Sequence, residues 1–260
     1  MLGKHRCVLS AGVLSSSRIA RLLAPPEADG EYVVLRTECS DEEIVHLHDY
    51  ERIYRESGLY EHIVHDLLRC RSPGTAAAGL AGAFTRLGIE PADIVLLDLG
   101  AGTGTVGELA HELGVLTVIG VDSLEAARTA CLRDRAHVYR DYLVADLAAP
   151  SPKALARLRR YRPTALISAG AFGGTHAPPS ALFNALALLP TGAPVVFTID
   201  ERWMLTDDPG GFGRAVTQLL DSAQLRLLDR SRFQHRLTTA GRPIHYELIV
   251  ASKSADEPTP

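Results

Sequence analysis

Cysteine is scarce in this chain. Four occur in 260 residues, Cys7, Cys39, Cys70 and Cys131, and no two form a Cys-x-x-Cys pair. That scatter argues against a thiolate zinc cage and suits a reducing compartment, so a cytoplasmic protein is expected. His62 and His65 lie one helical turn apart beside Asp66, but no third ligand converges on them in sequence, and no metal is expected. Long apolar runs are also missing. None approaches the roughly 18 residues that cross a bilayer, so no membrane span is expected. Basic excess is absent as well. The formal net charge is −4, which gives no general pull toward nucleic acid or anionic lipid. Lys4 and Arg6 precede Cys7–Leu14, but that apolar stretch is short and interrupted, and it reads as an ordinary N-terminus rather than a secretory signal. What is plentiful is core material. Hydrophobic residues make up 46% of the chain, enough for a full α/β sheet with an appendage.

The organising stretch is Ile94–Gly107, Ile-Val-Leu-Leu-Asp-Leu-Gly-Ala-Gly-Thr-Gly-Thr-Val-Gly. A continuous apolar run marks a strand buried on both faces. Gly100, Gly102 and Gly104 then permit backbone angles closed to other residues, and they let a ligand approach the main chain. Val106–Ala110 turns helical, and its N-terminus offers free N–H groups. Strand, glycine turn and helix open a βαβ unit. Gly102, Gly104 and Gly107 satisfy the dinucleotide fingerprint G-x-G-x-x-G, with Asp122 at about the 20-residue offset, so a nicotinamide-dependent oxidoreductase is one alternative. Leu96-Leu97-Asp98-Leu99-Gly100-Ala101-Gly102-Thr103-Gly104 also fits a second pattern. It resembles motif I of the class I S-adenosylmethionine (SAM)-dependent methyltransferases. Asp98 separates the two readings, because a carboxylate suits the ammonium of an aminoacyl tail and repels a diphosphate. On this reading Asp98 helps to hold the methionine moiety, directly or through water. The plain alternative is a strand-end Asp that caps the turn.

Other residues extend the resemblance. Gly120-Val121-Asp122 ends the second strand of the alternating part, where a carboxylate accepts from both ribose hydroxyls; Ser123 beside it counts among the expected cofactor contacts. Asp146 follows the third strand at the position that implies a contact to the adenine amino group, with Leu147 packing on the ring. Helix caps or strand-end turns are the structural alternatives for both acids. Asp49–Tyr54, Gly58–Tyr60, Cys70–Pro73, Asp141–Asp146 and Gly170–Phe172 together resemble bacterial relatives of the Williams–Beuren-region methyltransferase-like group, over residues 45 to 252. That group has no common substrate. The resemblance implies SAM as cofactor, with Tyr54, Asp98, Gly100, Ala101, Gly102, Gly104, Asp122, Ser123, Asp146 and Leu147 around it. No Asn-Pro-Pro-Tyr follows the fourth strand, which disfavours the amino-directed nucleic-acid methyltransferases.

The expected architecture is a Rossmann-like seven-stranded methyltransferase sheet with an antiparallel last strand. Strands are expected at Ile94–Asp98, Val115–Asp122, Tyr142–Asp146, Thr164–Ser168 and Pro194–Ile199, with helices between them. Leu225–Leu237 and Ile244–Val250 alternate around a Gly-Arg-Pro turn, as a closing hairpin does. Ser40-Asp-Glu-Glu43 has the form of a capping box, so residues 40 to 90 read as a helical lid. Residues 1 to 39 read as an extension carrying a short helix at Ile19–Leu23 and an extended Tyr32–Leu35. Residues 91 to 252 form the cofactor-binding domain, and 253 to 260 a disordered tail.

His176, in the loop after the fourth strand, is the candidate catalytic base, since neutral imidazole accepts a proton near neutral pH; capping the Pro178-Pro179 helix is the equal alternative. Tyr50, Tyr54 and Tyr60 lie in the lid, with Tyr54 the expected cofactor contact, while tyrosines at helical spacing also serve as packing. Asp200, Glu201 and Trp203 are candidate substrate wall. The basic run Arg157, Arg159, Arg160 and Arg162 reads as a solvated face. The expected activity is methyl transfer to a small molecule, such as a natural-product intermediate, by a protein that acts alone or as a homo- or heterodimer. A second alternative keeps the fold without methylation, as a partner subunit or an elimination or cyclisation enzyme.

Overall fold

The computed structural model describes residues 19–23, 30–36, 42–173, 176–205 and 211–254. Two sheets organise them. The larger has seven strands: β4 (Val95–Leu99), β5 (Thr117–Asp122), β6 (Asp141–Val144), β7 (Ala165–Phe172), β8 (Pro194–Asp200), β9 (Leu225–Leu237) and β10 (Pro243–Lys253), in the order β6-β5-β4-β7-β8-β10-β9. The first five pair in parallel, and β10 runs antiparallel to both β8 and β9. The strand order reverses between β4 and β7, the place where open α/β sheets bind ligands.

Period-2 alternation divides the core between the two faces. Leu97, Leu99, Ile119, Val121, Val195 and Phe197 pack on one side beneath α6 (Pro152–Tyr161), α7 (Pro179–Leu186) and α8 (Phe212–Asp221). Leu96, Val118, Ile167, Val196, Leu248 and Val250 pack on the other beneath α3 (Ser72–Leu87) and α4 (Thr105–Glu112). Helix α5 (Glu125–Asp134) covers the glycine turn with Ala127, Ala130 and Cys131. Helix α3 lies close on the sheet at Gly79, where a Cβ would come within 3.1 Å of Val250.

The smaller sheet is a correction. Its order is β1 (Ile19–Leu23), β2 (Tyr32–Arg36), β3 (Glu42–His46), all antiparallel. The helix expected at Ile19–Leu23 is therefore a strand. The helical lid expected from residue 40 likewise begins as a strand; the Ser40 cap itself lies outside the described residues. Val45 and Leu47 are buried while Ile44 is 66% exposed, a strand's alternation rather than a helical stripe. A turn follows at Leu47-His48, and α1 (Tyr50–Ile53), α2 (Leu59–Glu61) and a π-helical turn (His62–Leu67) complete a small core with Val33, Leu35 and Val45. Of residues 40 to 90, the stretch 50 to 68 stands over the glycine turn, while α3 belongs to the layer on the large sheet. The buried Arg236 ties the small sheet to the hairpin through Glu31, at 2.5 Å. The expected tail falls mostly on residues outside those described, as does the N-terminal stretch. No helix among the described residues is long and apolar enough to cross a membrane.

Candidate active site

The glycine turn follows directly from its sequence. Gly100, Gly102 and Gly104 take φ of +76°, +52° and +97°. A Cβ on Gly100 would lie 2.3 Å from the Cβ of Ala171, whereas one on Gly102 would meet only the Tyr54 hydroxyl closely, at 3.3 Å. Gly100 therefore seats the turn against β7, and Gly102 keeps its upper surface open. The amides of Gly100 and Ala101 donate to Val121 O at 2.9 and 3.1 Å, the Gly102 amide donates to Asp122 Oδ2 at 3.0 Å, and the Tyr142 hydroxyl donates to Gly102 O at 2.8 Å. The turn is a pre-formed cradle.

Asp98 is not part of that cradle's surface. It is fully buried, and it does not line the cleft. Alternation along β4 explains this: Asp98 shares its side of the sheet with Leu96, under α4, and the Tyr139 hydroxyl donates to its Oδ2 at 2.7 Å. Its Oδ1 has no partner. Burial pushes the carboxyl up to about 7 against the pull of the tyrosine hydrogen bond. Of the two expected modes, directly or through water, the direct grip on an aminoacyl tail is not available to Asp98 from this position.

The other predicted residues do converge. A cleft of about 540 Å³ is lined by Tyr54, Gly100, Ala101, Gly102, Asp122, Ser123, Asp146, Leu147 and His176. Gly104 does not line it; it starts α4, and a Cβ there would crowd Cys131 Sγ at 3.0 Å. Asp122 ends β5 with Oδ1 accepting from the Leu124 amide at 3.0 Å and Oδ2 from Gly102, which leaves lone pairs for further donors. Burial raises its pKa, partly offset by those amides. Asp146 is exposed, and its Oδ1 accepts from the Ala148 amide at 2.7 Å. Leu147 is buried at the cleft floor, its carbonyl held by Asn184 at 2.9 Å.

Opposite the turn stand rings. His176 lies 5.4 Å from His48 and 6.1 Å from Tyr50 between centroids. Burial, aided by the Arg236 charge, holds His176 below its ordinary pKa, so its imidazole is neutral at pH 7. His48 is shifted the same way by burial and then by His176. His48 escaped the sequence reading because the helix expected there turned it to no particular place; alternation through Val45 and Leu47 was the available signal. Tyr139, which holds Asp98 beneath the turn, carried no local signal, and Tyr142 lay within the Asp141–Asp146 stretch without a role of its own.

His48 also borders a second cleft of about 590 Å³, lined by Glu31, Asp200, Glu201, Arg242 and His245 among others. Asp200 and Glu201 line this second cleft, each paired, with Arg202 and Arg232 respectively. Trp203 does not join them; its indole fills the space above Gly173. Arg157 pairs with Asp141. His62 pairs with Asp66 at 3.1 Å, while His65 faces the cleft.

No family model and no curated protein matches this sequence. Solved structures do. A proposed RNA methyltransferase from Pyrococcus horikoshii is 22% identical, aligned over 72% of this chain and 88% of its own, with a TM-score of 0.51. The fold is that of the class I methyltransferases. A proposed hemolysin from Streptococcus thermophilus is 16% identical over 70% of this chain and 66% of its own, at a TM-score of 0.50. A magnesium protoporphyrin IX methyltransferase from Synechocystis, solved with SAM bound, is 13% identical over 69% and 79%, at 0.47. At these identities the likeness speaks for architecture, and the site must speak for chemistry.

Proposed function

We propose that this protein binds SAM in the cleft above the glycine turn and directs its methyl group to a small-molecule acceptor. The observation that carries the reading is the open upper surface of Gly102, flanked by Asp122 at the end of β5 and Leu147 after β6. A ribose diol is matched by the free lone pairs of Asp122, and an adenine ring by Leu147 with Asp146 at its edge. When bound, SAM supplies an electrophilic methyl on a sulfonium. The chain's own work is alignment, exclusion of water by the 50–68 stretch, and acceptance of a proton by neutral His176. The second cleft, sharing His48 with the first, is the approach for the acceptor. The finer resemblance to the Williams–Beuren-region group, the small-molecule acceptor and a cytoplasmic setting all belong to this proposal.

Two features favour it over a nicotinamide enzyme. The sheet closes with an antiparallel hairpin, and Asp98 beneath the turn becomes an anion as pH rises through about 7, which disfavours a diphosphate above it. The test is incubation with methyl-labelled SAM and a panel of phenol, amine and carboxylate acceptors. Label transfer that falls roughly 100-fold in His176→Asn supports the proposal. Tight SAM binding with no transfer to any acceptor would favour the non-methylating alternative.

A further inference from the structure

The stretch over the turn carries three tyrosines that pack together in a corner, a grouping that the proton transfer at His176 does not require. Tyr50 and Tyr54 lie nearly parallel, with centroids 5.6 Å apart at 21°. Tyr60 crosses both, 5.2 Å from Tyr54 at 61° and 6.3 Å from Tyr50 at 58°. All three line the cleft. Tyr54 is only 7% exposed, and its hydroxyl hangs over Gly102. Among the described residues no donor or acceptor reaches that hydroxyl. The hydroxyl is therefore free to meet a ligand in the cleft.

The electrostatics of the corner are specific. Burial holds the three phenols protonated, Tyr50 raised to about 12 and the other two well above their ordinary value, so no phenolate forms. What remains is the negative face of each ring, which attracts cations without carrying a charge. Asp122 adds negative potential at Tyr50 and Tyr54.

The corner is also held rigid. Arg133 donates to the carbonyls of Tyr54 and Arg55 at 3.0 and 2.9 Å. Glu61, next to Tyr60, accepts from the Thr103 hydroxyl at 2.6 Å and from Arg135 at 2.7 Å, and Arg135 also pairs with Glu108 on α4. The rings are thereby fixed relative to the glycine turn before any ligand arrives, which lowers the ordering cost of binding.

We propose that Tyr50, Tyr54 and Tyr60 form a cation-recognising corner for the sulfonium of SAM, so that the protein prefers the charged cofactor to its neutral product. This rests on the reading of the cleft as a SAM site. SAM and S-adenosylhomocysteine differ by one methyl and one positive charge. A corner built from ring faces responds to the charge, and release of the product follows from its loss.

The test is isothermal titration of the full chain with three probes: SAM, S-adenosylhomocysteine, and sinefungin, whose ammonium replaces the sulfonium. In the wild type, SAM and sinefungin are expected to bind more tightly than S-adenosylhomocysteine. Tyr54→Leu is expected to cut that preference about tenfold, by weakening the two cations and sparing the thioether. Tyr54→Phe, which keeps the ring, should hold the preference within about twofold. Retained binding of S-adenosylhomocysteine certifies that each variant is folded. Should Tyr54→Leu not fold, Tyr50→Leu is read in the same way. An unchanged preference in the leucine variants, or an equal loss in Tyr54→Phe, overturns the cation corner and leaves the SAM site standing. Failure of all three probes to bind the wild type overturns both.

Discussion

Asp98→Asn removes a charge from beneath the glycine turn while keeping the shape of the side chain. The wild-type carboxyl has a pKa of about 7 in the folded chain against 3.8 as its reference, because its site is sealed from water and only Tyr139 stabilises the anion. A folded pKa above the unfolded one means that the native state binds the extra proton. The contribution is present in full below pH 3.8 and is lost as pH rises through about 7. At 1.36 kcal/mol for each pH unit, holding the anion in the fold costs about 4 kcal/mol above pH 7. Asparagine escapes this cost. Its amide nitrogen, though, falls where Oδ1 has no partner, which costs about 1–3 kcal/mol at every pH. The signature is therefore the slope. Urea melts between pH 5 and pH 8 should show the stability of Asp98→Asn relative to wild type rising by about 2–3 kcal/mol. Titration with S-adenosylhomocysteine should show less than a tenfold loss in affinity, since Asp98 does not line the cleft. A flat difference across that pH range would refute the buried-carboxylate reasoning. A loss of 100-fold or more would return Asp98 to direct ligand contact.

Further outcomes follow from other residues. His235 is buried against Tyr246, with centroids 3.8 Å apart, shares a hydrogen bond of 2.7 Å between its Nδ1 and the Ser72 hydroxyl, and is pushed down to about 3 by burial. The unfolded chain takes up this proton first, so stability is present above pH 6.5 and falls as pH drops toward 3; at pH 5 the loss is about 2 kcal/mol, and His235→Phe should flatten it in urea melts. Gly100→Ala forces a side chain into φ +76° and 2.3 Å from Ala171, and should cost about 3 kcal/mol together with S-adenosylhomocysteine binding, read by calorimetry. Arg135→Met breaks its pairings with Glu61 and Glu108; hydrogen exchange of residues 50–61 should rise with little change in the central strands. Unaltered protection there would show that the stretch is held by packing alone.

Much of the large sheet is legible in the sequence because its information is local. The apolar runs at β4, β7 and β8 can only be strands buried on both faces. Ser151 before Pro152 caps α6, with its hydroxyl accepting from the Ala154 amide, and fixes where that helix starts. The alternation from Leu225 to Lys253 yields the hairpin. The small sheet is illegible for the opposite reason. Its strands are five residues each and are stabilised by pairing with one another, while the acids of Ser40–Glu43 imitate a helix start. Asp122, Ser123, Asp146 and Leu147 meet at one cleft because each lies at or just after a strand end, and strand ends in a parallel sheet share one rim. Asp98 misled because its spacing from the glycines fits a motif, while its direction depends on the pleat and on a tyrosine 41 residues away. His48 became visible only once the turn after β3 was in place.

The proposed occupant of the cleft above Gly102 is SAM. Isothermal titration of the wild-type chain with S-adenosylhomocysteine and, separately, with NAD distinguishes it from a dinucleotide. Saturable one-to-one binding of S-adenosylhomocysteine, weakened by Gly100→Ala, is expected, with no measurable heat from NAD. Saturable binding of NAD with none of S-adenosylhomocysteine would contradict it.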